Sequence, residues 1–236
     1  MCDSCGCGDH ELVPVDLHER ILAGNDKTAA HNRGHFSAAG VVAINLMGAP
    51  GAGKTAVLEA TARVFAGCRI VALAGDLATD NDAVRLRSAG ITAVAITTGS
   101  ACHLDAQMVH KALHGAPWRT ADYLFIENVG NLVCPAIYDL GQEANVVALS
   151  VTEGEDKPLK YPVMFLKADL VVITKIDLLP YLDVDIAALE RAIGRVMPRA
   201  RSLRVSARTG EGIDGWVDWL RSHRLPAKAA AKEAHP

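Results

Sequence analysis

The sequence predicts an α/β fold, a mostly parallel sheet with helices on both faces. Three observations lead there. From residue 40 onward, apolar runs of strand length alternate with helix-length segments. Most of those runs are continuous rather than alternating, as strands covered on both faces require. A glycine-rich segment then joins the first run to the first helical segment behind it.

The strand candidates are Val41–Met47, Ile70–Ala74, Thr92–Thr97, Tyr123–Ile126, Val146–Val151 and Leu170–Thr174, with a weaker one at Ser202–Val205. Helix candidates lie between them at 54–66, 81–89, 103–115, 183–197 and 213–223. In the fourth, Ile186, Leu189, Ile193 and Val196 recur at three- and four-residue spacing and define one apolar face. Ahead of the sheet, 16–39 reads as a helix and linker, with Leu17, Ile21 and Leu22 as a short stripe and Gly24-Asn25-Asp26 as a turn cue that interrupts it. Residues 1–15 read as a flexible cysteine-rich tail, 40–225 as the main domain and 226–236 as a disordered Ala/Lys-rich extension.

Composition narrows the classes. Of 236 residues, 22% are charged and 50% hydrophobic, an ordinary globular balance that argues against wholesale disorder. The net charge of −3 lacks the basic excess of a general nucleic-acid binder. No apolar run reaches the ~20 residues of a spanning helix, and the start lacks a signal-peptide pattern, so no membrane is expected and the expected compartment is the cytoplasm.

Gly48-Ala49-Pro50-Gly51-Ala52-Gly53-Lys54-Thr55 matches G-x-x-x-x-G-K-[ST] after a strand and at the opening of a helix, the context of a P-loop NTPase. Backbone N–H groups there turn toward a phosphate, and the helix N-terminus adds partial positive charge. Lys54 is expected on the β/γ-phosphates and the Thr55 hydroxyl on Mg²⁺. Asp76, just past the second strand, and Glu127, at the end of another, supply carboxylates where strand C-terminal ends converge. Asp80 is either a positioner of attacking water or the N-cap of helix 81–89.

Thr174-Lys175-Ile176-Asp177 closes the sixth strand. A carboxylate at Asp177 accepts from guanine N1–H and the exocyclic amine, a donor pair that adenine lacks. The Lys175 stem can cover the base, and Ser206-Ala207, within Val205–Gly210, resembles the S-A-K/R loop whose backbone touches the guanine carbonyl. The segment resembles the N/T-K-x-D motif of GTPases with Thr174 for the commoner Asn, and it favours GTP over ATP.

Six cysteines in a reducing compartment point to metal before disulfides. Cys2, Cys5 and Cys7 are three soft ligands in a polar terminus with no core to bury them. If Met1 is removed, the α-amine of Cys2 becomes a fourth donor, and the set then suits square-planar Ni²⁺ better than tetrahedral Zn²⁺. Cys102-His103 follows a strand end and Cys134 follows Glu127 by seven residues. Together they offer three donors, one short of a closed site, which water or a symmetry mate can complete. Cys68 reads as a small buried hydrophobe. His10, His18, His31 and His35 form no tract and read as surface residues.

The terminal C-x-x-C-G-C, the P-loop, Gly75–Asp80, Glu127–Pro135 and Thr174–Pro180 together resemble the hydrogenase nickel-incorporation GTPases of the HypB family, over nearly the whole chain. The resemblance implies a GTP-dependent homodimer that supplies nickel to the [NiFe]-hydrogenase large subunit with a small zinc-containing accessory partner. It further implies high-affinity nickel at Cys2, Cys5 and Cys7, a nucleotide-responsive nickel or zinc site at Cys102, His103 and Cys134, and a Lys157 that reaches the partner's nucleotide. Two rivals are a P-loop kinase for a small metabolite, which has no use for a guanine clamp, and a metal-storage or sensor protein with vestigial GTPase activity, which has no use for an intact P-loop.

Overall fold

The computed structural model describes residues 15–197 and 199–224. Seven strands form a single sheet in the order β3-β2-β4-β1-β5-β6-β7, and every neighbouring pair is parallel. In chain order the elements are α1 (Val15–Ala39), β1 (Val42–Met47), α2 (Lys54–Val64), β2 (Ile70–Asp76), α3 (Asn81–Ser88), β3 (Thr92–Thr97), α4 (Ala106–Leu113), β4 (Tyr123–Glu127) and β5 (Ala144–Ser150). Then come α5 (Lys157–Lys160), α6 (Pro162–Leu166), β6 (Leu170–Thr174), α7 (Ile186–Val196), β7 (Ser202–Arg204) and α8 (Ile213–Ser222).

Because all strands run the same way, all their C-terminal ends open on one edge of the sheet. The sheet's central strands are buried along their length, which is why β1 and β4 read as unbroken apolar runs. On one face Leu58, Leu86, Phe125 and Trp216 fill the space under α2, α3 and α8. The other face carries two clusters, one of Phe36, Leu104, Val109 and Trp118 and one of Phe165, Leu189 and Ile193.

Several boundaries differ from the sequence reading. The cue at Gly24-Asn25-Asp26 does not interrupt α1, which is continuous. Asn25 acts instead as a tertiary tie: its Nδ2 donates to the Asp139 carbonyl at 2.8 Å and its Oδ1 accepts the Ala106 N–H at 2.9 Å. Asp76 is the last residue of β2 rather than a residue beyond it. The helix expected at 103–115 begins at Ala106, with the Asp105 carboxylate accepting the Met108 N–H at 2.7 Å as its cap. Residues 98–105 are therefore irregular. The short helices α5 and α6 lie in a stretch where no helix was expected. Among the described residues, no helix is long and apolar enough to cross a membrane.

Candidate functional site

The P-loop bends sharply at the end of β1. Gly48 has φ +147, and a Cβ there would come within 2.4 Å of the Ala148 carbonyl oxygen on β5, so only glycine lets the loop start this close to the sheet. Gly53, the N-cap of α2, is left-handed, and α2 therefore begins at Lys54 with its N-terminus aimed into the loop. The Lys54 ammonium lies within the loop, donating to the Gly48 and Ala49 carbonyls at 3.3 and 3.2 Å. Its burial pushes its pKa below the usual lysine value, against the pull of Glu127, Asp82, Glu153 and Asp76.

An acidic set faces the first turn of α2 across a cleft of about 500 Å³. The Thr55 hydroxyl lies 2.7 Å from Glu127 Oε1 and 2.9 Å from Asp82 Oδ1. One hydroxyl proton serves two carboxylates, and the buried Glu127 Oε2 has no hydrogen-bond partner at all. Burial lifts the Glu127 pKa to about 7, and the Thr55 bond and Lys54 pull it back only in part. This donor-starved cluster of hard oxygens fits a Mg²⁺ ion. Asp76 lines the same cleft. Its carboxylate is tied to the Thr79 hydroxyl and to the Leu77 and Thr79 N–H groups. The Thr79 bond, against a smaller burial penalty, holds its pKa below the carboxylate norm.

At α3 one of the two readings of Asp80 is met in position, and a further acid joins the cleft. Asp80 occupies the N-cap position of α3 but makes no side-chain cap bond; its carboxylate points out to Arg87 at 3.6 Å and does not line the cleft. Asp82, in the first turn of α3, faces the Thr55 hydroxyl from within the cleft and was missed. An acid in a helix's first turn looks in sequence like an ordinary partner of the helix dipole, which is why nothing singled it out.

At the end of β6, Lys175 is the one left-handed non-glycine among the described residues, with φ 60. The turn it makes sets Asp177 against the loop after β7, where the Ser206 hydroxyl donates to Asp177 Oδ1 at 2.6 Å and in turn accepts the Thr209 N–H at 3.1 Å. Ala207 follows in the same loop, and its carbonyl accepts from Arg63 at 2.7 Å. The Thr174 hydroxyl donates to the Ala52 carbonyl at 2.6 Å, bracing the P-loop from the end of β6. Lys157, at the start of α5, lies outside the cleft lining, with its ammonium 5.4 Å from the Tyr161 ring centre.

The third constellation is thiol and imidazole. Cys102 and Cys134 bring their sulfurs to 3.1 Å, and His103 Nδ1 lies 3.8 Å from Cys102 Sγ. One donor atom from each of the three residues falls within 4.8 Å of the others. The His103 ring stacks on Tyr138, centroids 3.9 Å apart. Burial lowers the His103 pKa, favouring the neutral ligand form. The side chains of the adjacent Cys102 and His103 can approach one another because the chain has left β3 five residues earlier. Cys2, Cys5, Cys7 and His10 lie outside the described residues. Cys68 is half-buried against the core.

These elements define a P-loop nucleotide-binding protein with a cysteine–histidine cluster beside its phosphate cleft. Residues 42–204 match the family model described as the CobW/HypB/UreG nucleotide-binding domain. The chain is 48% identical over 224 residues to the hydrogenase maturation factor HypB of Azotobacter chroococcum, covering 93% of this chain and 73% of that one. It is similar to the crystal structure of HypB from Archaeoglobus fulgidus, with a TM-score of 0.80 and 40% identity over 86% of this chain and 100% of that one. It is equally close in fold to HypB from Helicobacter pylori, crystallised in complex with nickel: TM-score 0.80, 37% identity, 87% of this chain and 99% of that one. The chain belongs to the CobW/HypB/UreG nucleotide-binding family and, within it, to the HypB hydrogenase maturation factors.

Proposed function

We propose that this chain is a GTP-hydrolysing metallochaperone that binds nickel and delivers it during maturation of [NiFe]-hydrogenase. The observation that carries the reading is the adjacency of two chemistries: a P-loop with its magnesium-competent carboxylates, and a Cys102–His103–Cys134 cluster on loops leaving the same sheet edge.

Lys54 stands where it can exchange its two carbonyl partners for β- and γ-phosphate oxygens and offset their charge. Thr55, Glu127 and Asp82 would hold Mg²⁺ directly, with Asp76 acting on it through water. Mg²⁺ held there would supply positive charge to offset what develops on the phosphate oxygens. Asp177, held by Ser206, accepts from guanine; the Lys175 stem covers the base, and Ala207 supplies backbone near the guanine carbonyl. No arginine finger is evident in the sequence, so intrinsic turnover should be slow.

Cys2, Cys5 and Cys7, with the α-amine of Cys2 once Met1 is removed, would form the tight planar nickel site. Cys102, His103 and Cys134 would hold nickel or zinc in a manner set by nucleotide state, completed by water or by a second copy in a GTP-dependent homodimer. Lys157 would contact the partner's nucleotide. The large subunit of the hydrogenase and a zinc-containing accessory protein are the expected partners, and the cytoplasm the expected compartment. The retention of the guanine clamp disfavours a metabolite kinase, and the complete P-loop disfavours a storage protein with vestigial hydrolysis.

The test is Lys54→Ala in the full chain. GTP hydrolysis should be lost while nickel bound at Cys2, Cys5 and Cys7 is retained, measured by phosphate release and by metal analysis. Substantial turnover in this variant would remove the P-loop from the mechanism.

A further inference from the structure

His31 and His35, which read in the sequence as separate surface residues, stand one turn apart on α1 and meet His110 of α4. The Nε2 atoms of His31 and His35 are 2.9 Å apart, with their rings edge to face. One ring nitrogen from each of the three lies within 4.8 Å of the others. Two imidazole lone pairs repel at that separation, so the contact needs a proton or a cation between them.

What sets this cluster apart from a chance grouping of exposed histidines is Asn32. The side chain is fully buried between α1 and its neighbours. Its Nδ2 donates to two carbonyls, Ala106 at 2.9 Å and Leu140 at 3.2 Å. Both amide donors are therefore spent, and Oδ1 must be the atom that faces His110 Nδ1 at 3.0 Å. A carbonyl oxygen only accepts, so Nδ1 of His110 carries the ring proton and Nε2 keeps its lone pair. A buried group that fixes the tautomer and orientation of a histidine in this way is the usual support of a metal ligand. The cluster borders a cavity of about 300 Å³ walled in part by Leu113 and Trp118. His114 stands at its rim with its ring centre 5.4 Å from that of His110. Arg119, whose charge bears on His35, is stacked on Trp118 at 4.6 Å.

We propose that His31, His35 and His110 form a second metal site, for a divalent transition ion of imidazole preference such as Ni²⁺ or Zn²⁺. Three neutral nitrogen donors and no carboxylate select against Mg²⁺ and Ca²⁺ and leave the remaining coordination positions to water from the cavity. Burial, together with the neighbouring histidines, lowers the pKa of His35 and of His110, with Arg119 adding to the effect on His35. Both therefore favour the unprotonated form that a metal requires. The site uses none of the cysteines and does not depend on the chain being a GTPase.

The test removes the thiolates first. In the full chain with Cys2, Cys5, Cys7, Cys102 and Cys134 all changed to Ser, titration with Co²⁺ alone should give one bound ion with a purely imidazole and water spectrum, and Ni²⁺ and Zn²⁺ should displace it. Adding His35→Ala, an α1 surface change that leaves GTP hydrolysis untouched, should abolish that ion. Asn32→Leu should weaken it by about 10- to 100-fold. The wild-type chain provides a check that needs no cysteine changes: Ni²⁺ added beyond the thiolate sites should broaden the ring resonances of His31, His35 and His110 together. Equal stoichiometry with and without His35, or selective broadening elsewhere, would overturn the site.

Discussion

The Oδ1 of Asn128 accepts the backbone N–H of Leu104 at 3.0 Å, and that bond joins the end of β4 to the segment carrying Cys102 and His103. Asn128 directly follows Glu127, and Leu104 directly follows His103. Leu104 also packs on Gly75, where a Cβ would lie 2.8 Å from its Cδ1, one residue before Asp76. Three residues after Asn128, Asn131 N–H donates to the Gly48 carbonyl at 3.2 Å while its side chain accepts from Val133 and Cys134. The phosphate site and the cysteine–histidine cluster thus share a backbone frame.

Asn128→Ala removes the acceptor of a buried N–H and should destabilise the fold by ~1–3 kcal/mol. Denaturant unfolding measures that loss. Metal affinity at Cys102, His103 and Cys134 should fall with it, while nickel at the terminal cysteines holds. An unchanged internal affinity would mean that Leu104 does not hold the cluster in place.

Thr174→Ala removes the hydroxyl that braces Ala52. The bond is buried and local to the P-loop, so the expected cost is ~1 kcal/mol of stability and a weaker grip on nucleotide. Thr174→Ser keeps the hydroxyl and should recover both, read by calorimetric titration with GDP. Equal affinity in Thr174→Ala would assign the brace to backbone alone.

Asp177→Asn keeps the Ser206 contact but presents an amide in place of a second acceptor. It should lower kcat/KM for GTP and raise it for xanthosine triphosphate, whose base offers an acceptor where guanine offers its amine. Unchanged kinetics with GTP would place base recognition elsewhere.

A pH dependence follows from Asp122. Burial would raise its pKa, but the Arg69 N–H at 2.9 Å, the Arg69 side chain and Arg224 at 2.7 Å prevail and lower it. The stabilisation is present above the unfolded carboxylate pKa of about 3.9 and is lost as pH falls through the folded value. Asp122→Asn should therefore cost ~1 kcal/mol at neutral pH. The gap between variant and wild type should close below about pH 4. A gap that persists in acid would mean the residue acts through packing.

The strands were legible because they are buried on both faces and punctuated by turn chemistry, and the P-loop because its glycines and Lys54 have no ordinary structural use in that spacing. Gly24-Asn25-Asp26 misled, since a turn signal gives way when Asn25 finds partners at Asp139 and Ala106. Asp82 was hidden by its helix, whose first turn commonly carries an acid. The union of His31, His35 and His110 was illegible for another reason. His31 and His35 belong to α1 and His110 to α4, and only the packing of those helices around the buried Asn32 brings them together.

The central claim is that nucleotide state and metal at Cys102, His103 and Cys134 are one equilibrium. The direct measurement is metal titration of the full chain loaded with GDP and with a nonhydrolysable GTP analogue, with dimerisation followed in parallel. A difference in internal-site affinity of about 5- to 150-fold is expected, with the same factor recovered when nucleotide is titrated with and without metal. Identical affinities and coordination in the two states, with dimerisation indifferent to metal, would contradict the account and leave a passive carrier.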